Sequence, residues 1–159
     1  ILGNIVRGGN GLIGMLPPKF ILGYTSDETV LLDFDKSRLE VVIGWSRRVC
    51  ERFRLGGFLI LESSGDCFHV VFDRKVSWSE SMAAVAWVAG YSGSFEMQKW
   101  HRMQCIKGSS TLRGSPKGAK SFPVVVFSEG DQGGEIAEYL VYSDFIKSFY
   151  EPLERCETV

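Results

Sequence analysis

FLILESSGDCFHVVF, residues 58–72, decides the fold. Phe58–Glu62 is a short unbroken apolar run, the length and composition of a central strand. Ser63–Asp66 (SSGD) supplies turn residues, and Cys67–Phe72 (CFHVVF) returns as the hairpin partner. Strand side chains alternate, so Phe68, Val70 and Phe72 face one side of the sheet while Cys67, His69 and Val71 face the other. Upstream, Leu39, Val42, Val49 and Phe53, with Ile43 and Trp45 nearby, follow helical spacing and predict a helix over Arg38–Phe53. Gly56–Gly57 ends it. Before that helix, Thr29–Phe34 reads as a strand running into Asp33 and Asp35. Strand, helix, strand and hairpin are the kernel of an RRM-like or ferredoxin-like sheet.

The rest of the chain extends this kernel. Phe20–Tyr24 reads as a short strand with a turn at Thr25–Glu28. Ser77 and Glu80 form a capping box. It opens a helix with Trp78, Met82, Val85 and Ala89 on one face, closed by Gly90 and Gly93. Phe95–Cys105 is a second helix, GSSTLRGSPKG (108–118) a turn-rich strand entry, Pro123–Phe127 a strand and Gly134–Tyr150 an amphipathic helix. The expected fold is α+β, one domain over 1–159. It has an antiparallel or mixed sheet, helices on one face and the other face open for chemistry. Residues 1–18 form an irregular lead-in and 151–159 a tail.

Composition narrows the class. With 159 residues, 45% of them hydrophobic and 23% charged, the chain can bury a core without cross-links. No apolar run approaches the ~18 residues of a membrane span, and the opening lacks a signal-peptide pattern. Cys50, Cys67, Cys105 and Cys156 are scattered with no CxxC, as expected of reduced thiols in a cytoplasmic protein. GNGLIG (Gly9, Gly11, Gly14) matches a dinucleotide motif formally. Pro17 and Pro18 follow where that motif needs a helix, which argues against it. A net charge of −1 is unlike a generic nucleic-acid coat. The charge is nonetheless uneven. Lys99, Arg102, Lys107, Arg113, Lys117 and Lys120 lie in a segment, Met97–Ser128, without a single acid. Such a segment suits a phosphate-facing surface.

The chemistry-bearing residues converge on one place. Asp33 and Asp35, two apart, point to the same face, with Leu32 and Phe34 in the core beneath. Carboxylates that close repel unless a cation intervenes, and Mg²⁺ or Mn²⁺ favours oxygen ligands. His69 interrupts a strand that needed no polar residue and faces the aspartates' side. In TLRGSPKG, Arg113 and Lys117 suit phosphate oxygens, and Gly114 and Gly118 permit close backbone approach.

LLDFDK (31–36) resembles the first motif of the archaeo-eukaryotic primase superfamily, an acidic DxD at a strand end. ESSGDCFHVVF (62–72) is similar to its second motif, a small-residue turn leading into a strand histidine. TLRGSPK (111–117) resembles the later Arg-containing strand of primase-polymerases. The resemblance covers roughly 29–117, in order, and also extends to short archaeal-type or mobile-element relatives, of plasmids or viruses. It implies a primase-type palm core and a metal-dependent nucleotidyltransferase serving DNA replication. Asp33 and Asp35 would hold Mg²⁺ or Mn²⁺. His69 would contact the incoming nucleotide's phosphates, and Arg113, Ser115 and Lys117 would bind the triphosphate. The implied partners are nucleoside triphosphates, a DNA or RNA template and other replication proteins. The family's third acid has no obvious counterpart. Asp73 and Glu80 come too early, and Glu96 is the later candidate.

Two alternatives stay open. A rolling-circle nicking endonuclease would use Tyr139 or Tyr142 as nucleophile and need His101 beside His69. A non-catalytic RRM-like nucleic-acid-binding module would show aromatics on the open face. Here Phe34, Phe68 and Phe72 fall opposite the polar residues.

Overall fold

A computed structural model of the chain describes residues 6–8 and 19–157. The elements are β1 (Val6–Gly8), β2 (Lys19–Ile21), β3 (Gly23–Ser26), β4 (Leu31–Phe34), α1 (Leu39–Phe53), β5 (Gly57–Ser64), β6 (Cys67–Phe72), α2 (Trp78–Ser92), α3 (Phe95–Lys107), β7 (Ser110–Arg113), β8 (Val124–Gly130) and α4 (Glu135–Glu157). The fold is α+β and of the ferredoxin-like type. Its main sheet is antiparallel, in the order β4-β6-β5-β8, with the split strand–helix–strand kernel in place because β6 lies between β4 and β5. The GNGLIG glycines lie outside the described residues. Part of the expected irregular lead-in is strand, since Val6–Gly8 pairs with Lys19–Ile21. The expected strand over Phe20–Tyr24 is split between β2 and β3, and α4 runs on past Pro152 to Glu157.

The hairpin is tighter than SSGD alone predicts. β5 runs through Ser64, leaving Gly65 and Asp66 as the turn, and a bulge between Glu62 and Ser64 absorbs Ser63. Ser77 caps α2 by accepting from the Glu80 amide, and the left-handed Gly93 closes it; Gly90 lies within the helix. α1 ends on Arg54 in the left-handed conformation rather than on glycine.

Alternation in the strands builds two cores. Leu32, Phe34, Phe58, Ile60, Phe68, Val70 and Phe72 meet α1 and α2 on one face. Leu31, Leu59, Leu61 and Val71 point to the other face, where Tyr24 of β3, Leu112 of β7 and Ile136 and Tyr139 of α4 cover them. Helices therefore lie on both faces, and the face expected to be open is partly roofed. The reason is local. α4 has a buried stripe, Ile136, Tyr139, Ser143 and Ile146, that must be taken out of water. Asp73 at the end of β6 fixes where it goes. Its Oδ1 accepts the Gly134 and Ile136 amides at 2.8 and 3.2 Å, and its carbonyl accepts from Glu135 N. These interactions satisfy orphan donors of the first helical turn.

Candidate functional site

Asp33 and His69 are direct cross-strand partners in the β4–β6 ladder. Their side chains share a face, and His69 Nε2 lies 3.8 Å from Asp33 Oδ1. That separation is close but longer than a hydrogen bond. His69 is 4% exposed, and its Nδ1 has no hydrogen-bond partner among the described residues. Unpaired polar atoms of this kind are uncommon inside proteins, and this one is sealed from solvent, so only Nε2, toward Asp33, can face a ligand. Asp35 stands one residue beyond the strand end and is exposed, followed by Lys36 with φ 53.

The electrostatics follow from this placement. Burial pushes the Asp33 carboxyl up to about 7; the Asp35 charge pushes it further up, while Lys120 and Arg113 pull against the shift. Burial drives His69 down to about 3, assisted by the positive charges of Arg113 and Lys120. Near neutrality the pair is thus a half-titrated carboxyl group facing a neutral imidazole, not an ion pair.

The basic loop after β7 supplies the positive side of the site, through Arg113 as expected and through Lys120 rather than Lys117. Arg113 donates to the carbonyls of Ser115, of Ser121 at 2.9 Å and of Ser63 at 2.7 Å. The Ser63 carbonyl belongs to the bulged residue of β5, which the ladder leaves over. Arg113 is therefore a staple joining both ends of the loop to the bulge. It makes no ion pair among the described residues, so its charge stays available to the site. Ser115 is corrected as a phosphate ligand: it is fully buried and its hydroxyl accepts the Leu22 amide at 2.7 Å. Gly114 admits protein rather than ligand, since a Cβ there would lie 2.7 Å from Ile146 Cδ1. Lys117 and Lys120 exchange backbone hydrogen bonds across a tight turn, with Gly118 at φ 58. Both lysines are exposed, and Lys120 is the one whose charge acts on Asp33 and His69. Lys120 is the site residue missed in sequence. Its only signal was membership of the acid-free segment.

The remaining candidates are dispersed. Glu96, in the first turn of α3, pairs with Lys36 at 3.7 Å. Asp73 caps α4. Among the described residues no three His, Cys, Asp or Glu side chains gather to hold a metal. Asp33 and Asp35 alone fit a hydrated Mg²⁺ or Mn²⁺, which commonly takes one or two carboxylates and fills its other positions with water and phosphate. The observation in favour is that Asp35, at the strand end, lies near enough for its charge to act on Asp33, so two carboxylates share one place. Tyr139 is 2% exposed, packed edge-on to Tyr24 at 5.1 Å, and burial raises its hydroxyl pKa steeply. Tyr142 donates to the Gly23 carbonyl, and His101 lies against Cys105 on its own helix. Nothing here makes a tyrosine nucleophile with a histidine pair. Phe34, Phe68 and Phe72 are buried against α1 and α2, so they offer no base-stacking platform.

The class these features define is an α+β domain with a half-buried aspartate paired to a buried histidine, and a stapled basic loop, at one sheet edge. No protein-family profile, curated protein or solved structure matches the chain.

Proposed function

We propose that the chain is a cytoplasmic nucleotidyltransferase of the primase type, joining nucleoside triphosphates on a DNA or RNA template with Mg²⁺ or Mn²⁺. The observation that carries this reading is the direct pairing of Asp33 with His69, with Asp35 at the strand end and Lys120 and Arg113 facing them. Asp33 and Asp35 would hold the cation, which would supply charge neutralisation for phosphate and acidify an attacking hydroxyl. His69, neutral and buried, donates one ring N–H to a phosphate oxygen. Lys120 offers a mobile point charge to the outer phosphates. Arg113 holds the loop in position and adds fixed positive potential, which needs no reorganisation during the reaction. Roofing by α4 and β7 takes His69 out of bulk water and half-buries Asp33, which strengthens those interactions.

Primer formation or extension from triphosphates on single-stranded template, with Mn²⁺ or Mg²⁺, tests the reading. Asp33→Ala, Asp35→Ala and His69→Ala should each lower product formation by orders of magnitude. Lys120→Ala should raise the nucleotide KM more than Lys117→Ala does. Template-dependent product from wild type that survives all three site substitutions would place the chemistry elsewhere. Nucleotide binding without any turnover would mark a binding protein that lacks the third acid.

A further inference from the structure

On the opposite side of the sheet, α1 and α2 present a face that the Asp33 site does not use. Trp87 of α2 stands at its centre, 6.1 Å from Trp45, 6.3 Å from Phe53 and 5.1 Å from Tyr91 between ring centroids. Tyr91 is 73% exposed. The Arg48 guanidinium lies 5.0 Å over Trp45 and that of Arg52 lies 5.4 Å over Phe53. Neither arginine has a carboxylate partner among the described residues, and neither does Arg54 at the end of α1. The nearby acid of α1 turns away, since Glu51 lines a separate cavity of about 430 Å³ with Arg47, Cys50 and Glu129.

The partner helix adds no opposing charge. From Ser81 to Ser94 the chain has no charged residue, and Ala83, Ala86 and Gly90 form a low, exposed surface beside Trp87. Beyond it, Glu80 is engaged by Arg74. The result is a strip with exposed aromatic surface, unpaired guanidinium groups along one side and no free acid in between.

We propose that this α1–α2 face binds single-stranded nucleic acid, with bases stacking on Tyr91 and along the aromatic strip and Arg48 and Arg52 touching the phosphodiester backbone. Charge complementarity selects a polyanion. The ring faces favour one that carries bases over an acidic peptide. Because the strip and the Asp33 site lie on opposite faces of the sheet, this inference stands independently of nucleotidyl transfer.

The test uses the full chain, a fluorescent oligothymidylate and a chelator, so that the carboxylate site holds no cation. Wild type should bind at low salt, with affinity falling as salt rises. Arg48→Ala with Arg52→Ala should flatten the log–log salt slope by roughly 0.7 for each phosphate that the variant no longer neutralises. Tyr91→Ala, at an exposed position that leaves the fold intact, should weaken binding roughly five- to a hundredfold. Phe145→Ala, at an exposed aromatic of α4 on the other side of the sheet, should leave binding as it is. The proposal is overturned if wild type does not bind, or if binding ignores the α1–α2 substitutions and falls instead with Asp33→Asn and Lys120→Ala. Polyglutamate competing as well as oligothymidylate, with Tyr91→Ala silent, would also overturn it, because the face would then read charge alone.

Discussion

Asp33 and His69 depart from their ordinary titration in opposite senses, which makes a sharp expectation about stability. Asp33 is raised to about 7, so between pH 4 and 7 the folded chain holds a proton there that the unfolded chain has lost. Stability from this group falls as pH rises through that window. His69 is lowered to about 3, so between pH 3 and 6.5 the unfolded chain holds the extra proton, and stability from this group rises with pH. In wild type the two slopes cancel over about pH 4 to 6.5. Asp33→Asn should unmask the rise and His69→Gln the fall, each by up to about 1.4 kcal/mol per pH unit. Urea titrations across that range would show it, and parallel flat profiles in both variants would mean the pair is not coupled to folding. The sequence revealed Asp33 and His69 because strand alternation alone sets their face. It did not reveal Lys120, whose approach to the pair depends on a loop closed by Arg113 and on the turn at Gly118.

Among the elements, the hairpin was the most legible and the basic loop the least. β6 matches CFHVVF residue for residue, because its alternation and its turn agree on one register. The loop after β7 was legible only as basic and glycine-rich. Nothing local announces that Arg113 would find three carbonyls, one of them freed by a bulge fifty residues earlier in the chain. Arg113→Lys therefore separates two roles that an alanine would confuse. Lysine keeps the charge but cannot span the three acceptors, so the variant should lose about 2 kcal/mol of stability. It should also weaken nucleotide binding by letting Lys120 drift. Thermal unfolding checks the first effect. Unchanged stability would show that the staple is dispensable and return Arg113 to a purely phosphate-facing part.

At the scale of the whole molecule, α1 and α2 were placed correctly by their apolar spacing, and α4 was not. Amphipathicity says that α4 must cover something, but the choice of sheet face is made by Asp73, whose role as a cap across the fold no local pattern signals. As a result α4 and β7 partly roof a face expected to be open, with His69 buried and Asp33 half-buried beneath. On the proposed reading, a divalent cation with a triphosphate would sit against the two aspartates, beside Lys120 and Arg113. Calorimetry of a non-hydrolysable nucleoside triphosphate with Mn²⁺ asks this directly. Wild type should bind the two synergistically, each weak alone, because the phosphate oxygens complete the cation's ligands. The double variant Asp33→Asn, Asp35→Asn should lose the Mn²⁺-dependent part and keep a residual, salt-sensitive nucleotide affinity from Lys120 and Arg113. Equal Mn²⁺-dependent binding by wild type and double variant would contradict the account.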